Sequence, residues 1–285
     1  MTAGALVGSF DRGGRMPFVA RVEERAPAAP AEAPLLAVHL LGPLRVAIDG
    51  TPVRRWPSGR GRSLFKYLLT HRRPWPHRET LMEAFWPLST PEAARNSLNV
   101  ALHGLRRALR AATDLPVVVL EEGSYRLNAD LRLWVDVDEF EDHVRAGRRL
   151  EAAGDQDGAT AEYELAAATY QGDFLADDPY EEWPVLTRER LRLDFLDILD
   201  RLSRRHLEQG RPATSAALCR RILERDACRE DAHRRLMRCY ARQGQPQLAL
   251  RQYRACAAAL RAELDVDPAP ATTRLRDAIR HREPV

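Results

Sequence analysis

Between Glu92 and Arg110 the apolar residues Ala94, Leu98, Ala101, Leu102, Leu105 and Leu109 recur at steps of three and four. That spacing marks one buried stripe down a helix. The opposite face collects Asn96, Asn99, Val100, His103, Arg106, Arg107 and Arg110, and no carboxylate follows Glu92. Thr90 and Pro91 supply an N-cap and a proline at the first helical position.

Upstream, AVHLLGPLRVAIDGTPV alternates apolar and polar residues between GP and DG turns, which predicts a small antiparallel sheet. Ser58 to His71 predicts an amphipathic helix with Leu64, Phe65, Leu68 and Leu69 inward and Arg60, Arg62 and Lys66 outward. HRETLMEAFWP predicts a short second helix, buried through Leu81, Phe85 and Trp86 and stopped by Pro87. Beyond the third helix, LPVVVLEEGSYRLN reads as two strands around a turn at EEGS. Sheet, three helices and hairpin is the order of a winged helix-turn-helix, whose last helix enters the DNA major groove while the wing meets an adjacent groove or the backbone.

From Asp136 onward the pattern is helical and contains a repeat. Leu202, His206, Gly210, Ser215, Cys219 and Ile222 align with Leu236, Tyr240, Gly244, Ala249, Tyr253 and Cys256 at a constant offset of 34, the tetratricopeptide period. Leu150, Gly154, Ala159 and Tyr163 share the internal spacing but lie 56 rather than 34 residues upstream. The insert responsible contains YQGDFLADDPYEEW, residues 170–183, where Phe174 and Trp183 are expected to pack on the helices and the carboxylates to face water. A last helix near Thr272 to Arg282 is expected to cap the solenoid. The fold class expected is mainly α with a small β component, as a winged helix-turn-helix over residues 35–135 followed by an all-α tetratricopeptide-like solenoid over 136–285.

Composition adds two points. Residues 1–34, rich in Gly, Ala, Pro and Arg, lack the unbroken apolar core of a secretory signal and read as a disordered leader; no run is long enough for a membrane helix. The net charge of +3 hides an asymmetry, because residues 54–110 carry twelve basic and three acidic side chains, against 25 and 29 in residues 136–285. A basic segment of that kind is the footprint of a surface that meets a polyanion. Cys219, Cys228, Cys239 and Cys256 have neither disulfide nor zinc spacing and read as free thiols in a reducing cytoplasm.

Major-groove reading needs amides for adenine, guanidinium for guanine and an apolar group for the thymine methyl. Asn96, Asn99, Val100, His103 and Arg107 form such a set. Arg60, Arg62, Lys66, Arg78, Arg106, Arg110 and Arg126 are the candidate phosphate contacts; about six of them neutralised would give a salt slope near −5. A basic helix can equally be a solvated face, and its place in the helix-turn-helix order is what favours DNA. No phosphate-binding loop, HExxH or GxSxG motif is present, so neither an enzyme nor a metal or cofactor is expected.

ARNSLNVALHGLRRAL with its hairpin, then YQGDFLADDPYEEWPVLTRERLR and REDAHRRLMRCYARQGQPQLALRQYRAC, resemble the bacterial transcriptional activator domain family, which includes the Streptomyces antibiotic regulatory proteins. The resemblance covers residues 36–282. It implies an OmpR-type winged helix joined to a tetratricopeptide-like activation domain, binding to direct repeats near promoters, and recruitment of RNA polymerase. It also places Asn96, Asn99, His103, Arg106 and Arg107 in the recognition helix, and residues 86–91 in a loop that can face polymerase. No receiver, ATPase or phosphopeptide-binding module is recognised. The function expected is that of a cytoplasmic, sequence-specific transcriptional activator with double-stranded DNA and RNA polymerase as partners, pairing as a homodimer on DNA. The rival is a protein-interaction scaffold in which the repeats hold a peptide and DNA is not bound.

Overall fold

The computed structural model describes residues 33–56 and 59–285. The leader expected over residues 1–34 therefore lies almost wholly outside the described residues. Residues 34–285 form one compact unit.

Three strands open the fold, β1 (Leu35–His39), β2 (Arg45–Ile48) and β3 (Thr51–Pro52). Leu36, Val38, Val46 and Ile48 alternate inward, as the period of two requires. The sheet is not purely antiparallel, because β6 (Arg132–Val135) lies parallel to β1 in the order β3-β2-β1-β6. The parallel pairing is possible because three helices and a hairpin intervene as the crossover.

The three helices are α1 (Gly61–Thr70), α2 (Arg78–Phe85) and α3 (Pro91–Leu109). Helix α3 begins as its sequence dictates: the Thr90 hydroxyl accepts from the Ala93 amide at 3.3 Å, and Pro91 follows at the first helical position. Leu98, Leu102, Leu105 and Leu109 are buried along one stripe. Leu81 and Phe85 anchor α2. The hairpin pairs β4 (Val118–Glu121) with β5 (Ser124–Leu127), and Glu122 and Gly123 both take positive φ in the two-residue turn, the geometry that matches the twist of the strands.

Val135 ends β6 and Asp136 begins α4 (Asp136–Ala152) with no linker. The buried Asp136 carboxylate accepts from the amides of Leu40 and Leu41 at 2.8 and 3.0 Å, which fixes the helix start against the end of β1. Burial raises the Asp136 pKa, opposed by these amide hydrogen bonds and by His39.

Helix α4 pairs with α5 (Gln156–Thr169), α6 (Val185–Glu208) with α7 (Pro212–Leu223), and α8 (Glu230–Arg242) with α9 (Pro246–Leu264); α10 (Pro270–Arg280) closes the array against α9 and α8. The turns of these pairs use Gly154, Gly210 and Gly244 at positive φ, so the repeat register is physical: glycine recurs where the chain must adopt the left-handed conformation. Leu202 and Leu236, Ser215 and Ala249, and Ile222 and Cys256 are buried at matching places. Tyr240 and Tyr253 are only half-buried, although the second pair is packed between α7 and α10. All four cysteines are free, and Cys228 alone is not buried.

The core of the winged helix runs without interruption into the helical array, from Leu36 through Phe140 and Phe174 to Leu202. The acidic-aromatic segment makes this junction. Phe174 is fully buried, the Leu175 amide donates to the Leu40 carbonyl at 2.8 Å, and the Gly42 amide donates to the Asp173 carbonyl at 3.1 Å. Arg188 of α6 holds the segment from the other side through the carbonyls of Phe174, Leu175 and Asp178. Trp183 packs not on the solenoid but on α1, edge-on to Tyr67 at 5.3 Å and to His71 at 5.8 Å.

Candidate DNA interface

Helix α3 carries its polar residues outward. Asn96, Asn99, His103, Arg107 and Arg110 are exposed, and Val100 is 73% exposed. Neither Arg107 nor Arg110 forms an ion pair among the described residues, so their guanidiniums are available to an external anion.

Arg106 is different. Its Nε–H donates to the Val118 carbonyl at 3.2 Å, which ties α3 to the first strand of the wing. The wing is fixed on its other side by α2, through the Arg78 amide to the Gly123 carbonyl at 3.2 Å and a 3.2 Å contact between the His77 ring and the Ser124 hydroxyl. Arg78 is half-buried at that junction.

Three expected phosphate contacts are corrected by their partners. Lys66 is fully buried, and its ammonium donates to Asp177 at 2.9 Å and to Asp178 at 2.6 Å. Arg62 pairs with the same Asp177. Arg126 pairs with Glu121 on the neighbouring strand, so the wing tip presents Glu121 and Glu122 with the arginine's charge already met. Arg60 stays about half exposed while pairing with Glu181 at 3.3 Å. The outer face predicted for α1 is thus an inner one, covered by the loop that precedes α6. Burial would raise the Asp177 pKa, but the Lys66 and Arg62 cations outweigh it and hold the carboxyl below its ordinary value.

Two basic positions at the interface escaped the sequence reading. Arg95 is exposed one turn before Asn99, and its i, i+4 relation to Asn99 was the available signal. Arg55 is exposed in the stretch between β3 and α1, where no periodicity could place it. An open groove of about 950 Å³ runs along α3, with Arg55, Trp56, Arg60 and Trp86 on one wall and Gly104 and Arg107 on the other. Among the described residues, no cluster of His, Cys, Asp or Glu could hold a metal ion, and no helix is long and apolar enough to cross a membrane.

A family model described as the bacterial transcriptional activator domain matches residues 135–280. The chain belongs to the bacterial transcriptional activator domain family of regulators. Its activator-domain residues align, together with the winged helix, to the regulatory protein AfsR of Streptomyces griseus at 28% identity over 274 residues, covering 92% of the chain. The chain spans only 26% of AfsR. Similarity to the transcriptional regulatory protein MoaR1 of Mycobacterium tuberculosis is 26% over 251 residues, 87% of the chain and 80% of MoaR1. Among solved structures, Mycobacterium tuberculosis EmbR in complex with a low-affinity phosphopeptide superposes with a TM-score of 0.68 at 25% identity, covering 88% of this chain and 66% of that one. These relatives carry the names of transcriptional regulators, not of enzymes.

Proposed function

We propose that this activator-domain protein is a cytoplasmic, sequence-specific DNA-binding activator of transcription, with residues 35–135 as its DNA-binding part and 136–285 as its activation part. The observation that carries the reading is the outward face of α3, where Asn96, Asn99, Val100, His103 and Arg107 stand exposed on a helix followed by a wing. In the major groove the amides match adenine edges, Arg107 matches guanine and Val100 meets a thymine methyl. Arg110, Arg95 and Arg55 flank that face and take phosphates, with Arg60 sharing itself between Glu181 and the backbone. The Arg106 side chain sets the angle between α3 and the wing, with the main-chain amide of Arg78 holding the turn of the wing from α2.

Direct repeats in a promoter would seat two copies of the chain, and Leu88, fully exposed in the loop between α2 and α3, would face RNA polymerase. Selection of genomic fragments by the full chain tests the reading. A repeated motif that is lost when Asn99 and Arg107 are replaced by Ala supports it, and absence of any enriched motif turns the assignment to a peptide-binding scaffold.

A further inference from the structure

The helical array is acidic as a whole, yet α8 (Glu230–Arg242) carries Arg234, Arg235, Arg238 and Arg242. Three of the four are engaged. Arg235 is nearly buried and donates to Asp200 at 2.7 Å. Arg234 donates to the Thr272 hydroxyl at 3.1 Å, with Glu230 at 3.9 Å. Arg242 is exposed and donates to the Leu207 carbonyl at 3.2 Å and to a main-chain oxygen of Val285, the last residue of the sequence, at 3.3 Å.

Arg238 is half-buried and has no hydrogen bond or ion pair among the described residues. Burial, and after it the neighbouring cations Arg234, Arg235 and Arg242, lower its pKa. A guanidinium beside three other cations, partly withdrawn from water and without a counter-charge of its own, is a favourable place for an anionic group to bind. Arg234, Arg238 and Arg242 also stand on one line of the helix, each four residues from the next.

We infer that this ridge on α8 is a docking site for an extended, acidic segment of a partner protein. Successive turns place the arginines about 6 Å apart along the helix. Alternate side chains of an extended peptide are spaced by about 6.6 Å, so carboxylates at every second position meet one arginine each. Backbone carbonyls and Thr272 hold Arg242 and Arg234 in place while leaving other N–H groups of each guanidinium free, so the site is set before the ligand arrives. A duplex is the less suitable occupant. The array that carries the ridge has 25 basic and 29 acidic side chains, which repel a polyanion broad enough to cover it, whereas a single strand of peptide touches only the ridge. The inference is independent of the DNA-binding reading.

The test is fluorescence anisotropy of a labelled hexaglutamate peptide with the full chain at about 150 mM salt, where diffuse attraction is screened. Saturable binding is expected, weakened roughly tenfold by Arg238→Gln and unchanged by Arg251→Gln, which removes an exposed charge from α9. Arg238→Lys keeps the charge and should retain most of the binding should the glutamine variant fold poorly. Three results overturn the inference: no saturable binding by the unaltered chain, equal losses in the Arg238 and Arg251 variants, or an Arg238→Gln loss on labelled duplex DNA as large as that on the peptide.

Discussion

Lys66 and Asp178 meet at 2.6 Å across a separation of 112 residues, and through them α1 of the winged helix is bound to the loop ahead of α6. Lys66 is the only lysine in the sequence. A buried ammonium is tolerated where several carboxylates surround it, and Asp177 supplies the second at 2.9 Å. Trp183 against Tyr67 extends the same junction with apolar contact. Helix α3, proposed above to read DNA, is therefore carried on the same body as the helical array.

Replacing Lys66 by Met leaves two carboxylates facing an apolar side chain. Both aspartates keep about a fifth of their side-chain surface in water, so the loss is expected at about 2–3 kcal/mol, below the range for a fully buried pair. Urea midpoints of the two proteins measure it. The pH dependence has a definite sign: the Asp177 pKa lies below the ordinary 3.8 in the folded chain, so its contribution is complete above that value and disappears as pH falls through the folded pKa. The loss of stability from pH 5 to pH 3 should be shallower in Lys66→Met than in the parent.

Asp136 joins the two parts at a different point. Asp136→Ala strands the amides of Leu40 and Leu41 without acceptors in a buried place, at an expected cost of about 2–4 kcal/mol. Its raised pKa means that protonation relieves a desolvation cost, so Asp136→Asn, which keeps one acceptor and removes the charge, should cost clearly less. Thermal unfolding of the two variants gives the order.

Gly147 lies in the middle of α4, where helix propensity alone favours alanine by about 1 kcal/mol. A Cβ there would stand 2.5 Å from the Tyr163 ring, and that ring is buried and hydrogen-bonded through its hydroxyl to Glu151 at 3.1 Å. Gly147→Ala should therefore destabilise by about 1–3 kcal/mol despite its better propensity. An unchanged or higher unfolding midpoint would show that α4 and α5 can separate at little cost.

Much of this fold is legible in the sequence. The stripe Leu98, Leu102, Leu105 and Leu109, capped by Thr90 and Pro91, specifies α3 and its outward face, and Gly210 and Gly244 mark the repeat because their backbone conformation admits few other residues. Lys66 was not legible. A helical wheel assigns a charged residue to solvent unless a distant segment supplies counter-charges, and those lie more than a hundred residues away. The strand β6 was hidden for a related reason, since four residues with weak alternation become a strand only beside β1. Tyr240 and Tyr253, large residues at good repeat positions, are half-buried; their truncation should cost less than the about 3–5 kcal/mol of a fully buried ring.

With Lys66, Arg62 and Arg126 occupied internally, about four of the proposed phosphate contacts remain around α3. The slope of log affinity against log salt should then be close to −4 on a specific duplex, shallower than the basic segment as a whole would give. Replacing Arg110 by Ala should reduce it by about one, with equal weakening on specific and random DNA.

The most direct measurement is selection of genomic DNA fragments by the full chain at about 150 mM salt, beside an Asn99→Ala, Arg107→Ala double variant whose urea midpoint matches the parent. Each single change should cost about 1–3 kcal/mol on the selected sequence and little on random DNA. Enrichment of a repeated motif by the parent and not by the double variant is the predicted result. An equal profile for both proteins, or no enrichment by a folded parent, would contradict the assignment of α3 as the helix that reads DNA.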